Sequence, residues 1–509
     1  MMNILFIPLD ERPCNSDFPK LITSAKKDIK LISPDKYILG DKKTPGQVSK
    51  LWDFVFENAK ECSYAVLSID MLIYGGLIPS RLHHLTKDEA EGYIKNLRRI
   101  KEINPNIKVY AFNCIMRSPQ YNSSEEEPDY YADYGYNLFR SKYLIDKRLR
   151  AGINKIEEEE LESIKIPKEI VLDYESRREF NEYINIEVAK LLEDGTLDFL
   201  VIPQDDSSEY GYTAISQKIV LDFIKNKNLE FKSYIYPGAD EVGSSLLARC
   251  LNDFLGRTVK IYAFYSSTFG PNIIPLYEDR PMNESLKYHV RVCGGELIDN
   301  SSEADLILAI NSPGKYMQEA SDQVLDIDLT YTSYRNLLDF VYKIESYIKS
   351  GKVVILSDSA FANGGDLTLI NYLDRLGVLS KLTAYAGWNT NCNTLGTVLS
   401  SGMYSLRSNG GSQIKHLIYR IVEDVLYQAK IRQEVINEYL PKNDISYYNF
   451  KDKQMYVENT IRDLLLKEYN KLNISKVCKL NINSITTPWK RMFEIGMDID
   501  VNFNDYNNL

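Results

Sequence analysis

The chain predicts an α/β protein on parallel strands: a (β/α)8 TIM-barrel-like catalytic domain, with an open doubly wound parallel sheet as the alternative. Three observations carry that expectation. Short β-type runs recur along the chain as far as about residue 386, amphipathic stretches separate most of them, and the runs end abruptly in acids, amides and arginines. Alternating strands and helices call for a parallel sheet with right-handed crossovers. Substrates of such sheets sit at the carboxyl ends of the strands.

The strand-like runs fall near residues 3–8, 31–33, 64–69, 107–112, 198–203, 232–236, 259–264, 305–310, 352–357 and 381–386. Residues 87–103, 215–225, 241–254 and 333–349 are the amphipathic stretches between them. Ten strands exceed the eight of a closed barrel, so one or two are expected to be peripheral. Residues 119–190 break the rhythm and read as an insertion with helices near 137–148 and 174–192, either roofing a site or lying idle on the surface. From about residue 406 the strand rhythm stops. Helices are expected near 416–438 and 455–472, then a strand pair near 479–482 and 493–501. The division that follows is a catalytic region, 1–405, and a mostly helical C-terminal region, 406–509.

Bulk properties narrow the classes. A net charge of −10 disfavours a general nucleic-acid binder, because neutralising phosphates needs a positive face. No apolar stretch is long enough for a membrane span and no leader pattern opens the chain, so a soluble, cytoplasmic protein is expected. Seven scattered cysteines without a CxxC pair read as reduced, buried thiols. Only four histidines disfavour a His-based zinc site or a Ser-His-Asp triad. No cofactor is expected, and the oligomeric state is left open.

The polar strand ends supply the candidate site, read as one pocket. Gln204-Asp205-Asp206 holds two adjacent carboxyl groups that a bend could turn into the same pocket, where their repulsion would raise one pKa. One acid and one base is what glycosidic cleavage needs. Helix capping by Asp206 or Ser207 is the ordinary alternative. Gly238-Ala239-Asp240-Glu241 follows another strand, with Asp240 equally suited to cap the next helix. Asp70, Tyr74, Gly75-Gly76 and Arg81 combine an acid, a flexible turn and a cation, and Asp10, Glu11 and Arg12 offer a similar mixture. Asn113 and Arg117 follow a further strand. Asp358, Asn363, Asp366, Trp388 and Asn389 close the series, with amides and carboxylates suited to sugar hydroxyls and an indole suited to a pyranose face. Asp205, Asp206 and Asp240 could instead hold magnesium or calcium.

Five words in the chain, 7–15 (IPLDERPCN), 70–77 (DMLIYGGL), 127–131 (EPDYY), 240–243 (DEVG) and 385–390 (YAGWNT), make it resemble a bacterial family known as domain of unknown function 4127. That resemblance implies no activity. The adjacent Asp pair, the Asn363-x-x-Asp366 segment and the Asn-rich strand end are also similar to barrel N-acetylhexosaminidases that use the substrate's own acetamide as nucleophile. This similarity implies that Asp205 orients the acetamide, that Asp206 is the general acid and base, and that Asn363, Asp366 and Trp388 bind the sugar. A second hexosaminidase group, similar in its Asp-Glu pair, would move the chemistry to Asp240 and Glu241.

The reading that results is a glycoside hydrolase acting on a small-molecule or oligosaccharide substrate. Its catalytic candidates are Asp205, Asp206, Asp240 and Glu241. Two alternatives stand beside it: a metal-dependent hydrolase or lyase using Arg12, Arg81 and Arg117 as anion clamps, and a non-catalytic carbohydrate-binding protein.

Overall fold

A computed structural model describes residues 1–407 and 411–503. The chain forms two compact units. The first comprises Met1–Glu11, Asp28–Leu246 and Tyr277–Asp279, and the second Arg12–Lys27, Leu247–Leu276 and the chain from Arg280 onward.

The first unit is built on six parallel strands: β1 (Met2–Ile7), β2 (Ile29–Ile32), β3 (Tyr64–Ser68), β4 (Lys108–Phe112), β5 (Phe199–Gln204) and β6 (Ser233–Pro237). Their order is β2-β1-β3-β4-β5-β6. β3 and β5 are buried at every position, as strands covered on both faces must be. Helices Val48–Ala59, Lys87–Ile103 and Lys168–Lys190 supply much of that cover through Leu51, Val55, Ile94, Leu97, Ile184 and Val188. Thr86 and Glu89 cap the second of these helices reciprocally, which sets its start.

The second unit has a five-stranded parallel sheet of β7 (Val259–Tyr265), β8 (Gly295–Leu297), β9 (Leu306–Asn311), β11 (Val354–Asp358) and β13 (Ala384–Ala386). The short strands β10 (Gln318–Glu319) and β12 (Phe361–Ala362) pair apart from it. The antiparallel hairpin β14 (Cys478–Thr486) and β15 (Gly496–Phe503) lies at the end of the chain. The sheet order is β13-β11-β9-β7-β8. Counted from β7, that is again 2-1-3-4-5, so both units share the doubly wound order whose ligand crevice lies at the switch point between the first and third strands. The core here joins Ile307, Val354 and Leu356 of the sheet to Leu417, Val422 and Leu465 of the later helices.

All ten expected strands form, and β8, β10 and β12 are additional ones. Neither sheet closes on itself, so the expected barrel is not seen and the alternation is shared by two open parallel sheets. The expected insertion helices form as Tyr131–Arg150 and Lys168–Lys190, with Lys155–Ser163 between them. The expected helix near 416–438 forms as Gly411–Arg420 followed by wide π-type turns over Ile421–Ile431. Among the described residues no helix is long and apolar enough to cross a membrane, and all seven cysteines are buried and form no disulfide.

Candidate active site

The Ser68 hydroxyl accepts from Met71 N at 3.2 Å and starts a short helix, Ile69–Tyr74, that presents Asp70 beyond β3. Gly75 ends the helix at φ +86°, where a Cβ would stand 2.7 Å from Gly46 N. The backbone then passes through Gly76 at φ +133° to the Pro79–Arg81 turn, so both glycines adopt the unusual conformations expected of them. Asn113 Nδ2 and Cys114 N donate to the two carboxyl oxygens of Asp70 at 3.3 and 2.9 Å. Burial nevertheless pushes Asp70 up to about 6.

Beside it, Arg81, Arg117, Glu126, Glu127, Asp205 and Asp206 form one bonded cluster. Arg81 Nη2 donates to Asp205 Oδ2 at 2.5 Å, and Arg117 Nη1 to Asp206 Oδ2 at 3.1 Å. Both guanidiniums also reach Glu127 Oε1, at 3.1 Å from Arg81 Nη1 and 2.8 Å from Arg117 Nε. Arg117 Nη2 donates to Glu126 Oε2 at 2.9 Å. Glu127 Oε2 is buried and accepts no hydrogen bond. Asp206 lies at φ +41°, a left-handed conformation that Asp tolerates better than most side chains. That bend lets two adjacent carboxyl groups meet the two arginines of one cluster. Burial first, and the charge of Asp205 second, push Asp206 up to about 7 against the pull of Arg117 and Arg81.

The insertion braces this arrangement. From helix Lys168–Lys190, Arg177 Nη1 donates to the Arg81 carbonyl at 3.1 Å and Arg178 Nη1 to the Arg117 carbonyl at 3.0 Å. One and two turns further on, Asn181 Nδ2 donates to the Ser80 carbonyl at 2.8 Å and Asn185 Nδ2 to Asn113 Oδ1 at 2.7 Å. Arg177, Asn181 and Asn185 share a face at a spacing of four residues. That row of polar residues is a signal legible in the chain, yet it is missing from the expected site, as are Glu126 and Glu127.

The other expected residues are distributed as follows. Tyr74 is buried with its hydroxyl unpartnered, its ring 4.7 Å from that of His83. Asp10 is buried after β1. Asp240 and Glu241 are buried beyond β6, where Ala239 N donates to Glu241 Oε2 at 3.0 Å. Gly238 sits at φ +143°, a backbone conformation that strains any residue with a Cβ.

Arg12 belongs to the second unit, where its guanidinium sits 4.7 Å over the Trp489 ring. Asp358, Asn363, Asp366, Trp388 and Asn389 belong to that unit as well, so the polar strand ends come from two sheets rather than one. Asp358 accepts from Asn311 Nδ2, Tyr385 OH and Asp366 N, each at 2.8 Å. Burial and the charge of Asp366 push it up to about 7. Asp366 caps helix Leu367–Arg375 and pairs with Arg335 at 2.8 Å. Asn363 Nδ2 donates to Glu319 Oε2 at 2.8 Å, and Asn363 and Asn389 both have positive φ. Trp388 is core, edge-on to Phe493 at 6.0 Å with its indole N–H unpartnered. Among the described residues no group of three or more His, Cys, Asp or Glu is arranged to hold a metal ion.

A doubly wound α/β protein with a partly buried Asp pair at its strand ends is the class that this fold and cluster define. The family described as "Protein of unknown function (DUF4127)" matches residues 4–498, and the chain belongs to that family. No curated protein matches it.

Proposed function

We propose that the chain is a glycoside hydrolase working by carboxylate acid/base catalysis, with an N-acetylhexosaminide as the first substrate class to test. The observation that carries this reading is Asp206, poised at about 7 beside Asp205. Asp206 would protonate the leaving glycosidic oxygen as the C–O bond breaks and the substrate's acetamide oxygen bonds to the anomeric carbon in its place. It would then take a proton from the water that attacks the anomeric carbon, ending in its starting state. Asp205, held by Arg81, would orient the acetamide.

Charge favours this chemistry over an anionic substrate. The bonded cluster sets two guanidiniums against four carboxyl groups. An excess of negative charge stabilises a positive anomeric carbon and repels phosphates and carboxylates. Access favours this pair over Asp240 and Glu241: the Asp205 and Asp206 side chains are 17% and 23% exposed, whereas residues Asp240 and Glu241 are 7% and 1% exposed.

The test is a panel of nitrophenyl glycosides and N-acetylhexosamine oligosaccharides, with and without chelator. The expected result is chelator-resistant release that falls at least about 100-fold in Asp206→Asn, the scale of one acid/base group. Turnover that survives in Asp206→Asn, that requires an added metal, or that never occurs across the panel would sink the reading.

A further inference from the structure

The second unit carries a cleft of about 960 Å³ that the proposed hydrolysis does not use. Tyr265–Phe269, leaving the carboxyl end of β7, form one wall, and Tyr331–Phe340 form the other. The carboxyl end of β7 is one side of the switch point of this 2-1-3-4-5 sheet, where doubly wound folds place ligands. The two walls are joined by a backbone bridge between Ser267 and Arg335.

Arg335 is the residue that points to a ligand. Its side chain is only 5% exposed. Nε donates to the Tyr331 carbonyl at 3.0 Å, and Nη1 donates to Asn311 Oδ1 at 3.1 Å and Asp366 Oδ2 at 2.8 Å. The guanidinium also lies 4.8 Å over the Tyr331 ring. Every hydrogen bond it makes within the protein therefore uses Nε or Nη1, and Nη2 keeps both its protons on a side chain that lines the cleft. A guanidinium fixed on three sides with one edge free is preorganised for an oxyanion.

Hydroxyl groups line the same cleft. Ser266 Oγ donates at 2.9 Å to Asn311 Oδ1, the oxygen that Arg335 also reaches. Ser267 Oγ accepts from Ser312 Oγ at 3.0 Å and keeps its own proton, and Thr268 beyond it is exposed. The amino end of helix Leu337–Lys349 borders the same cleft and adds a favourable dipole for an anion. Lys343 also lines it, and the lining cations outnumber the single acid, Asp339. At the mouth, the Phe269 ring is 42% exposed and 5.2 Å from the Tyr334 ring at 42°. An aromatic pair lining the same cleft, with Phe269 exposed and Tyr334 half-buried, suits a flat ring carried on a phosphate.

We infer that this cleft binds a phosphate monoester that carries an aromatic ring, with the phosphate on Arg335, Ser267 and Thr268 and the ring against Phe269 and Tyr334. Calorimetric titration of the full chain with AMP, FMN, adenosine and inorganic phosphate tests it. The expected result is saturable one-to-one binding of AMP or FMN, at least about tenfold tighter than adenosine or phosphate alone. Whichever of the two binds distinguishes a nucleotide from a flavin source. Arg335→Gln and Thr268→Glu should each weaken binding about tenfold or more, by losing a charge-assisted bond or by placing a like charge. Thr268 is exposed, so its variant tests the site even where Arg335→Gln fails to fold. The inference is overturned if neither phosphate compound binds, if adenosine binds as tightly as AMP, or if Thr268→Glu binds like the parent.

Discussion

Replacing Asp206 by asparagine should flatten the loss of stability between about pH 5 and about pH 8. The Asp206 carboxyl titrates at about 7 in the fold against an ordinary 3.8 in the unfolded chain. Between those values the folded state holds a proton that the unfolded state has released. Stability from this group is therefore fully present below the lower value, and falls until pH passes the upper one. At ~1.36 kcal/mol per pKa unit, the drop from pH 5 to pH 8 comes to about 2–3 kcal/mol. The asparagine side chain does not titrate, so that drop should be missing in Asp206→Asn. Losing the bond to Arg117 adds an offset to the variant. The offset does not imitate a titration, so the difference of differences isolates the proton. Urea unfolding of parent and variant at both pH values, extrapolated linearly to water, measures it. Equal pH dependence in the two proteins would refute the assignment of the retained proton to Asp206.

Glu127→Ala should cost about 1.5–3 kcal/mol in urea unfolding, because it removes one charge-assisted bond from each of two buried guanidiniums that keep Glu126, Asp205 and Asp206; a cost below about 1 kcal/mol would show that the cluster relaxes freely. Tyr385→Phe removes a 2.8 Å bond to Asp358. It should cost about 1–2 kcal/mol and move the Asp358 titration further upward, read from the pH dependence of unfolding. The seven buried cysteines should resist a thiol reagent in the native protein, Cys62 also because burial pushes its thiol up to about 11, and should react together on denaturation; rapid native labelling of several thiols would contradict their burial.

What the sequence determined by itself was local. Strand and helix periodicities depend on neighbours a few residues away, which is why the helix at 87–103 and the hairpin near 479–501 are legible in the chain alone. The polar strand ends are equally visible, because each lies directly after its apolar run. The turn at Asp70–Arg81 is readable too, since glycine at Gly75-Gly76 announces its own backbone. Strand order was decided only in three dimensions. An apolar run does not encode which other run it pairs with, and ten runs in a row fit one barrel or two open sheets equally well.

That Asp205 and Asp206 follow a strand of one sheet, and Asp358, Asp366 and Trp388 belong with another, is a result of that pairing. So does the electrostatics of the site. Arg117 meets Asp206 across 89 residues of sequence, and Arg81 meets Asp205 across 124. A carboxyl group's proton affinity is set by burial and by the charges that surround it in space. The chain order therefore named the acids, and the tertiary structure decided which of them holds a proton near neutral pH.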